Sequence, residues 1–435
     1  MKKLSELGLT GKKLVFQGIL LTLLGLILVF TGVKLPTILI KLFVYGLLAL
    51  GGIDMLLRVF KKIPSQEPIV VSILKLAFLL WLAGTDMVTD VPLYLFGLLM
   101  AVYQIFSAAI NLITYALYVK DSIRPRMRLL IDGIWLAILG FSTLLASNAN
   151  ANFQFLYLGL YLIFYGLSNL RDGLFFEKEL GKNSLKRRVR VPLPLAVAAL
   201  IPLGTLNKIN AFLLENSEET ASEAYDIVKE NSGASDMTVF VHVAQDGVHA
   251  VGHLDFAYRD KVYGFGSYDP SSEHLFGAMG DGVLFTAKKE EYIRFCNQDG
   301  LNLLAYDLVL SEEQKTAVEQ KIREIEEWTY TWQPSADLLS KDKDGNPQPI
   351  YAYQLQSAIG GQFFKFKSSK FKSYFVLSTN CVLLVDSVLG SAGTAILSPK
   401  GFIAPGTYQA YLDREFEKPH SLVIGKKVYQ ASPGS

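Results

Sequence analysis

The stretch LVFQGILLTLLGLILVFTGV (residues 14–33) is uncharged and twenty residues long, and five more runs of its kind follow before residue 175. At 1.5 Å per residue such a helix extends about 30 Å, the thickness of a bilayer's hydrocarbon core. The other runs cover about 36–58, 68–86, 91–118, 127–146 and 153–174, the fourth long enough to tilt or to reach beyond the bilayer. Residues 1–178 are therefore expected to form a transmembrane bundle of six helices. The chain then turns polar and aromatic. We divide the remainder into a basic and apolar connector (179–235), an α+β domain (236–415) and a tail (416–435).

Composition fits two solvents. A hydrophobic share of 51% and a mean hydropathy of +0.29 are too apolar for an ordinary soluble protein, yet 19% of residues are charged. The net charge of +2 gives no ground for a nucleic-acid partner. Cys296 and Cys381 are the only cysteines, too few for a disulfide framework. The first apolar run lacks a small-residue cleavage site and reads as an anchor. No CxxC, HExxH, P-loop or dinucleotide fingerprint occurs, so neither a metal nor a cofactor is expected.

Loop charges give an orientation. Lys2, Lys3, Lys12 and Lys13 precede the first run, Arg58, Lys61 and Lys62 follow the second, and Lys120, Arg124, Arg126 and Arg128 separate the fourth from the fifth. The intervening loops GTDMVTDVP and SNANANFQ are acidic or uncharged. By the positive-inside rule both ends of the bundle face the cytoplasm.

A weak repeat pairs the runs as three hairpins. Gln17 stands before Gly18 and Gly25, Lys75 before Leu76 and Ala83, and Asp132 before Gly133 and Gly140. In the even runs Tyr45-Gly46-Leu47, Phe96-Gly97-Leu98 and Leu158-Gly159-Leu160 match. Such small residues let helix backbones approach in lipid. Lys75 and Asp132 either pair inside the bundle, with Asp54 as a competing acid, or snorkel to the nearby cytoplasmic ends, the reading we prefer. With these hairpins, residues 10–175 resemble the HdeD-like acid-resistance membrane proteins of bacteria. That resemblance implies a six-helix bundle linked to stress tolerance and carries over no catalytic residue.

The connector holds LKRRVR (185–190) and VPLPLAVAALIPLGTL (191–206). Sixteen residues give a helix of about 24 Å, and Pro192, Pro194 and Pro202 would interrupt it. We read an interfacial segment, which leaves the C-terminal half cytoplasmic. A short seventh span, placing that half outside, is the competitor, because the basic cluster would mark a cytoplasmic start.

In the C-terminal half MTVFVHVA (237–244) reads as a buried strand, and HLDFAY with KVYGFGSY (253–268) as a hairpin. LSEEQKTAVEQKIREIEEW is an amphipathic helix with a Ser311–Gln314 capping box and an apolar face of Val318, Ile322, Ile325 and Trp328. FFKFKSSKFKSYFVL (363–377) reads as a half-buried strand with solvated lysines.

Cys381 lies where the strand-like YFVL gives way, after Ser378-Thr379-Asn380, to the apolar helical run VLLV. A thiol there faces the positive end of the helix dipole, which favours the thiolate nucleophile. His253, opening the hairpin, is the candidate base. For the third group, a loop at Asp260-Lys261 puts Tyr268 opposite His253, and a loop at Arg259-Asp260 puts Gly266 there. Asp269 and Tyr268 rank equally as the orienting group and Asp255, on the face of His253 two residues along its own strand, ranks third. His242 is expected in the core, His249, His274 and His420 in solvated loops, and Cys296 at a packing position.

The order of these segments is similar to a circularly permuted papain-type fold. More narrowly, the Gly-His strand, the segment Phe265-Gly266-Ser267-Tyr268-Asp269, the LSEEQ helix and the Asn-Cys helix start resemble the Lnb-type N-terminal periplasmic domain over about 237–415. The resemblance implies a thiol hydrolase, amidase or acyltransferase, with Cys381 as nucleophile and His253 as base, and its relatives are periplasmic. A peptide, a cell-wall fragment and a lipid acyl group all remain open as substrate, as does the oligomeric state. The non-enzymatic alternative is a stress-response membrane protein whose C-terminal domain binds a ligand or partner.

Overall fold

The computed structural model describes residues 11–61, 69–145, 147–174, 226–229, 234–243, 253–275, 277–341, 346–392, 405–418 and 421–431. Both readings of the 191–206 segment lie outside the described residues. So do His249 and His420. Contacts divide the chain into two compact units. One comprises Phe16–Ala109 and Asp132–Leu170, and the other joins the described residues of Met1–Val15, Ile110–Ile131 and Arg171–Ser435.

The apolar runs form α1 (Gly11–Thr31), α2 (Lys34–Lys61), α3 (Ile69–Ala83), α4 (Met87–Lys120), α5 (Met127–Leu145) and α6 (Ser147–Leu174). Four stretches, Lys34–Leu57, Met87–Lys120, Met127–Leu145 and Ala151–Arg171, are long and apolar enough to cross a membrane, consistent with a multi-pass membrane protein. The apolar parts of α1 and α3, Val15–Thr31 and Val70–Ala83, are shorter. Large apolar side chains such as Phe16, Phe30, Phe43, Leu80 and Ile131 are exposed along these helices. Lipid, unlike water, imposes no cost on such a surface.

Glycine lets two of these helices come close. A Cβ on Gly25 would lie 2.6 Å from the Gly159 carbonyl oxygen, and one on Gly18 2.7 Å from that of Gly166. The backbones of α1 and α6 therefore touch where a side chain would hold them apart. Gly140 of α5 meets Ala101 and Ile105 of α4 in the same way, whereas Gly46 faces open space. The side chain of Lys75 is exposed and that of Asp132 half-buried. A polar contact that the apolar pattern hides lies between α4, α5 and α6. The Gln104 amide nitrogen donates to Gln154 Oε1 at 2.9 Å, and Gln154 Nε2 to Thr143 Oγ1 at 2.6 Å, all three buried.

The second unit is α+β. Its elements are β1 (Ile227–Val228), β2 (Met237–Val243), β3 (His253–Tyr258), β4 (Lys261–Gly266), β5 (Met279–Asp281), β6 (Val283–Lys288), α7 (Lys289–Gln298), β7 (Asn302–Leu308), α8 (Glu312–Glu327), β8 (Thr329–Trp332), β9 (Leu339–Lys341) and β10 (Pro347–Pro349). There follow α9 (Tyr351–Ile359), β11 (Gln362–Phe366), β12 (Ser373–Phe375), α10 (Cys381–Leu389), α11 (Pro405–Phe416) and β13 (Val423–Tyr429). Nine strands build one antiparallel sheet in the order β1-β13-β7-β2-β3-β4-β6-β11-β8.

Alternation along the strands feeds two cores. Val239, Val241, Leu254 and Phe256 pack with Val318 and Ile322 of α8, Val385 and Val388 of α10, and Tyr408 of α11. Phe240, Ala257 and Phe285 pack with Tyr292 of α7 and Leu355 of α9. Period-two strands buried on both faces explain why the central strands are apolar almost throughout.

Local details follow from the chain. Ser311 and Gln314 close the capping box of α8, and Glu312 and Glu313 favour its positive end. Trp328 is not on the buried face of that helix as expected. It is the C-cap, 49% exposed. The β3–β4 loop is Arg259-Asp260, with Tyr258 paired to Lys261, so of the two alternatives the second holds. In the lysine-rich strand, Lys365 is not a solvated group. It is largely buried and ion-paired, as described next.

Candidate active site

Two local structures bring the chemistry together. Asn380 caps α10: its side-chain oxygen accepts from the Leu383 N–H at 3.2 Å, and its own amide donates to the Val376 carbonyl at 2.9 Å. Cys381 is therefore the first residue of the helix, where backbone N–H groups lack intrahelical acceptors. The second structure is the β2–β3 pair, in which His242 lies directly opposite His253.

His253 stands between a carboxylate and the thiol. Its Nε2 is 3.0 Å from Asp255 Oδ1, and the Cys381 thiol lies close enough for its charge to act on the ring. An ionised carboxylate only accepts, so Nε2 carries the proton shared with Asp255 and Nδ1 is left for the sulfur. Burial presses the His253 pKa down, but the charges of Asp255 and Cys381, with the Asp255 hydrogen bond, lift it well above the ordinary histidine value. Burial would raise the Asp255 pKa. The charge of His253 and hydrogen bonds from both histidines outweigh it and hold this acid far below the usual carboxylate range. The arrangement suits an imidazolium beside a sulfur nucleophile.

The orienting group is thus the acid ranked third from the sequence. Asp269 is turned elsewhere: it accepts from the Ser271 N–H and hydroxyl at 3.0 and 2.6 Å and pairs with Lys365 at 2.5 Å. Lys365 also holds Asp281 at 2.8 Å. Tyr268 is half-buried against Phe285 and Phe363. Burial, reinforced by the charges of Asp255 and Cys381, keeps its phenol protonated. Of the four residues singled out, Cys381 and His253 meet, Tyr268 borders them, and Asp269 serves the loop that follows β4.

His242 was expected as a core residue, and it is 5% exposed. It nevertheless makes a specific contact, Nε2 to Asp255 Oδ2 at 2.8 Å, and Tyr292 donates to the same oxygen. Burial lowers its pKa against the opposing pull of Asp255, so the ring is neutral. Cys296 is fully buried, and burial, with the Asp255 charge, drives its thiol pKa up. Of the two cysteines only Cys381, 4% exposed, is joined to a histidine base. His274 is exposed, as expected.

A cleft of about 760 Å³ lies at the other end of β3, around Tyr258, Arg259, Lys261, Glu319 and Arg323. Its charges are mixed, and no cysteine, serine or histidine is among the residues that line it. Five residues of strand, about 16 Å, separate Tyr258 from His253. Among the described residues no cluster of histidine, cysteine and acidic side chains could hold a metal ion.

Comparison of the chain with protein-family models, with curated proteins and with solved structures finds no match.

Proposed function

We propose that this chain is a membrane-anchored thiol hydrolase or acyltransferase. The observation that carries the reading is Cys381 at the first position of a capped helix, joined through His253 to Asp255. The sulfur attacks the carbonyl carbon of an amide or ester, forming the S–C bond. His253 gives its proton to the departing amine or alcohol as the bond from the carbonyl carbon to that nitrogen or oxygen breaks. Water, or an acceptor nucleophile, then releases the acyl group from sulfur, with His253 taking the proton back. The first free N–H groups of α10 are suited to the oxyanion. Thr379, whose buried hydroxyl has no hydrogen-bond partner among the described residues, lies two residues before the sulfur.

The family reading is part of this proposal. A His-bearing strand preceding a Cys-bearing helix, on an antiparallel sheet with helices on both faces, supports a permuted papain-like domain of Lnb type. Six apolar helices with glycine crossings support an HdeD-like bundle spanning the membrane six times. A peptide, a cell-wall fragment and a lipid acyl group remain the substrate classes.

We place the C-terminal half in the cytoplasm. Ser373 donates to Asp121 at 2.8 Å, and Lys372 pairs with the same carboxylate at 3.7 Å. Asp121 belongs to the basic loop that holds Lys120, Arg124, Arg126 and Arg128, and such loops stay on the cytoplasmic side. The contact thus favours an interfacial 191–206 segment over a seventh span.

The test is direct. In full-length protein, a small electrophile at neutral pH labels Cys381 faster than the same residue in unfolded chain, and His253→Ala abolishes the advantage. If Cys381 is inert until unfolding and His253→Ala changes nothing in a folded protein, the domain is a binding module and the bundle carries the function.

A further inference from the structure

Resting on the thiol reading above, we propose that His242 and Tyr292 are positioning residues, which hold Asp255 in the orientation that lets His253 serve Cys381. The carboxylate divides its two oxygens. Oδ1 faces His253, while Oδ2 receives the His242 Nε2–H at 2.8 Å and the Tyr292 hydroxyl. Tyr292 and His242 also approach one another, at 3.3 Å. Asp255 is fully buried and Tyr292 is 2% exposed, so no water competes for these bonds.

The three groups come from different elements, His242 from β2, Asp255 from β3 and Tyr292 from α7. A carboxylate fixed only by His253 could rotate about its side-chain torsions. Two neutral donors converging on one oxygen remove that freedom. Both donors are neutral: burial lowers the His242 pKa and raises that of Tyr292. They therefore hold the anion without competing as cations for the charge that His253 uses. The ionisable groups facing Asp255 are His242, His253, Tyr268, Tyr292, Cys296 and Tyr351. Of these only His253 can be charged positively near neutrality. The glycine opposite adds a constraint, since a Cβ on Gly264 would come within 2.6 Å of Asp255 Oδ1. The space around the carboxylate is shaped for this one orientation.

The test uses full-length protein in nanodiscs, with histidine labelled at Cε1 for NMR and the His253 signal assigned through His253→Ala. We expect Tyr292→Phe and His242→Phe to lower the pH at which His253 loses its proton, and to slow iodoacetamide labelling of Cys381 at pH 7 about tenfold. His242→Gln, which keeps a side-chain N–H, should recover the wild-type rate to within about threefold. A purely structural role would lower the unfolding temperature and leave the His253 titration where it was. An unmoved or raised titration in folded Tyr292→Phe overturns the proposal, because a freed carboxylate that stayed in place would bind the imidazolium more tightly. Should His242→Phe not fold, Tyr292→Phe removes a single oxygen and decides alone. If wild-type Cys381 labels no faster than in unfolded chain, the thiol reading fails, and the NMR titrations still decide whether the clamp acts on His253.

Discussion

Asp255 concentrates the electrostatics of the site, and its linkage to pH has a definite sign. The pKa of His253 is raised on folding, so its contribution is whole below the ordinary histidine value and fades as pH climbs through the raised one. That of Asp255 is lowered, so its contribution is whole above the ordinary carboxylate range and disappears as pH falls through the lowered value. Asp255→Asn should therefore destabilise the C-terminal unit at pH 7 by about 3–5 kcal/mol, as expected on removing one partner of a buried pair. Thermal unfolding should show the gap to wild type narrowing toward alkaline pH; a constant gap would argue against this coupling. Asp269→Asn should cost stability near Lys365 and leave Cys381 labelling unchanged, whereas Asp255→Asn slows it. The sequence made Cys381 and His253 legible because a helix start and a strand start leave local signals. Asp255 ranked last because its role depends on which way two neighbouring side chains bend along one strand. His242 was invisible as a functional group, since nothing in the residues around it tells that it lies across the sheet from His253.

Elements differ in how far their neighbours can be read. The Ser311–Gln314 box is written in four adjacent residues, and the helix it announces is there. The single strand expected over 363–377 ends at Phe366, and after a turn the chain returns as β12 in a separate two-stranded sheet with β5; the ion pair of Lys365 with Asp269 and Asp281 joins residues at least 84 positions apart. Nothing local encodes such a pairing. The cap of α10 offers a test at this scale. Asn380→Ala should cost about 1 kcal/mol of stability. Asn380→Asp should keep the cap but set a negative charge beside the sulfur, slowing Cys381 alkylation; equal rates in the two variants would dissociate the cap from reactivity. In the bundle, Gly25→Leu should force α1 from α6, where even a Cβ lies 2.6 Å from the Gly159 carbonyl oxygen, and denaturant titration in micelles should record the loss. Gly46→Leu, facing open space, should be nearly silent.

For the molecule as a whole, the expected side of the C-terminal half can be measured. A reporter active only in the cytoplasm, fused after Ser435, should be active, and one active only outside should not; the reverse result would promote 191–206 to a seventh span. A cysteine pair at Thr114 and Ser378, whose hydroxyl oxygens are 2.9 Å apart, should cross-link in membranes if the strand–helix corner before Cys381 rests on the end of α4. The overall division into an apolar and an α+β part was plain from hydropathy. The assignment of residues 110–131 to the same compact unit as the C-terminal half was not, because helix α4 is continuous in sequence through that boundary. One earlier feature bears on assembly. Gly18, Gly133 and Leu76 occupy matching places in related hairpins, so surfaces suited to one neighbour are nearly suited to another. The Gln104–Gln154 amide pair exists at a single place among the described residues, and in hydrocarbon an amide denied its mate has no water to turn to. A helix inserted in the wrong slot would strand both glutamines. The pair thus makes the neighbourhood of α4 and α6 selective in a way that interchangeable small residues cannot.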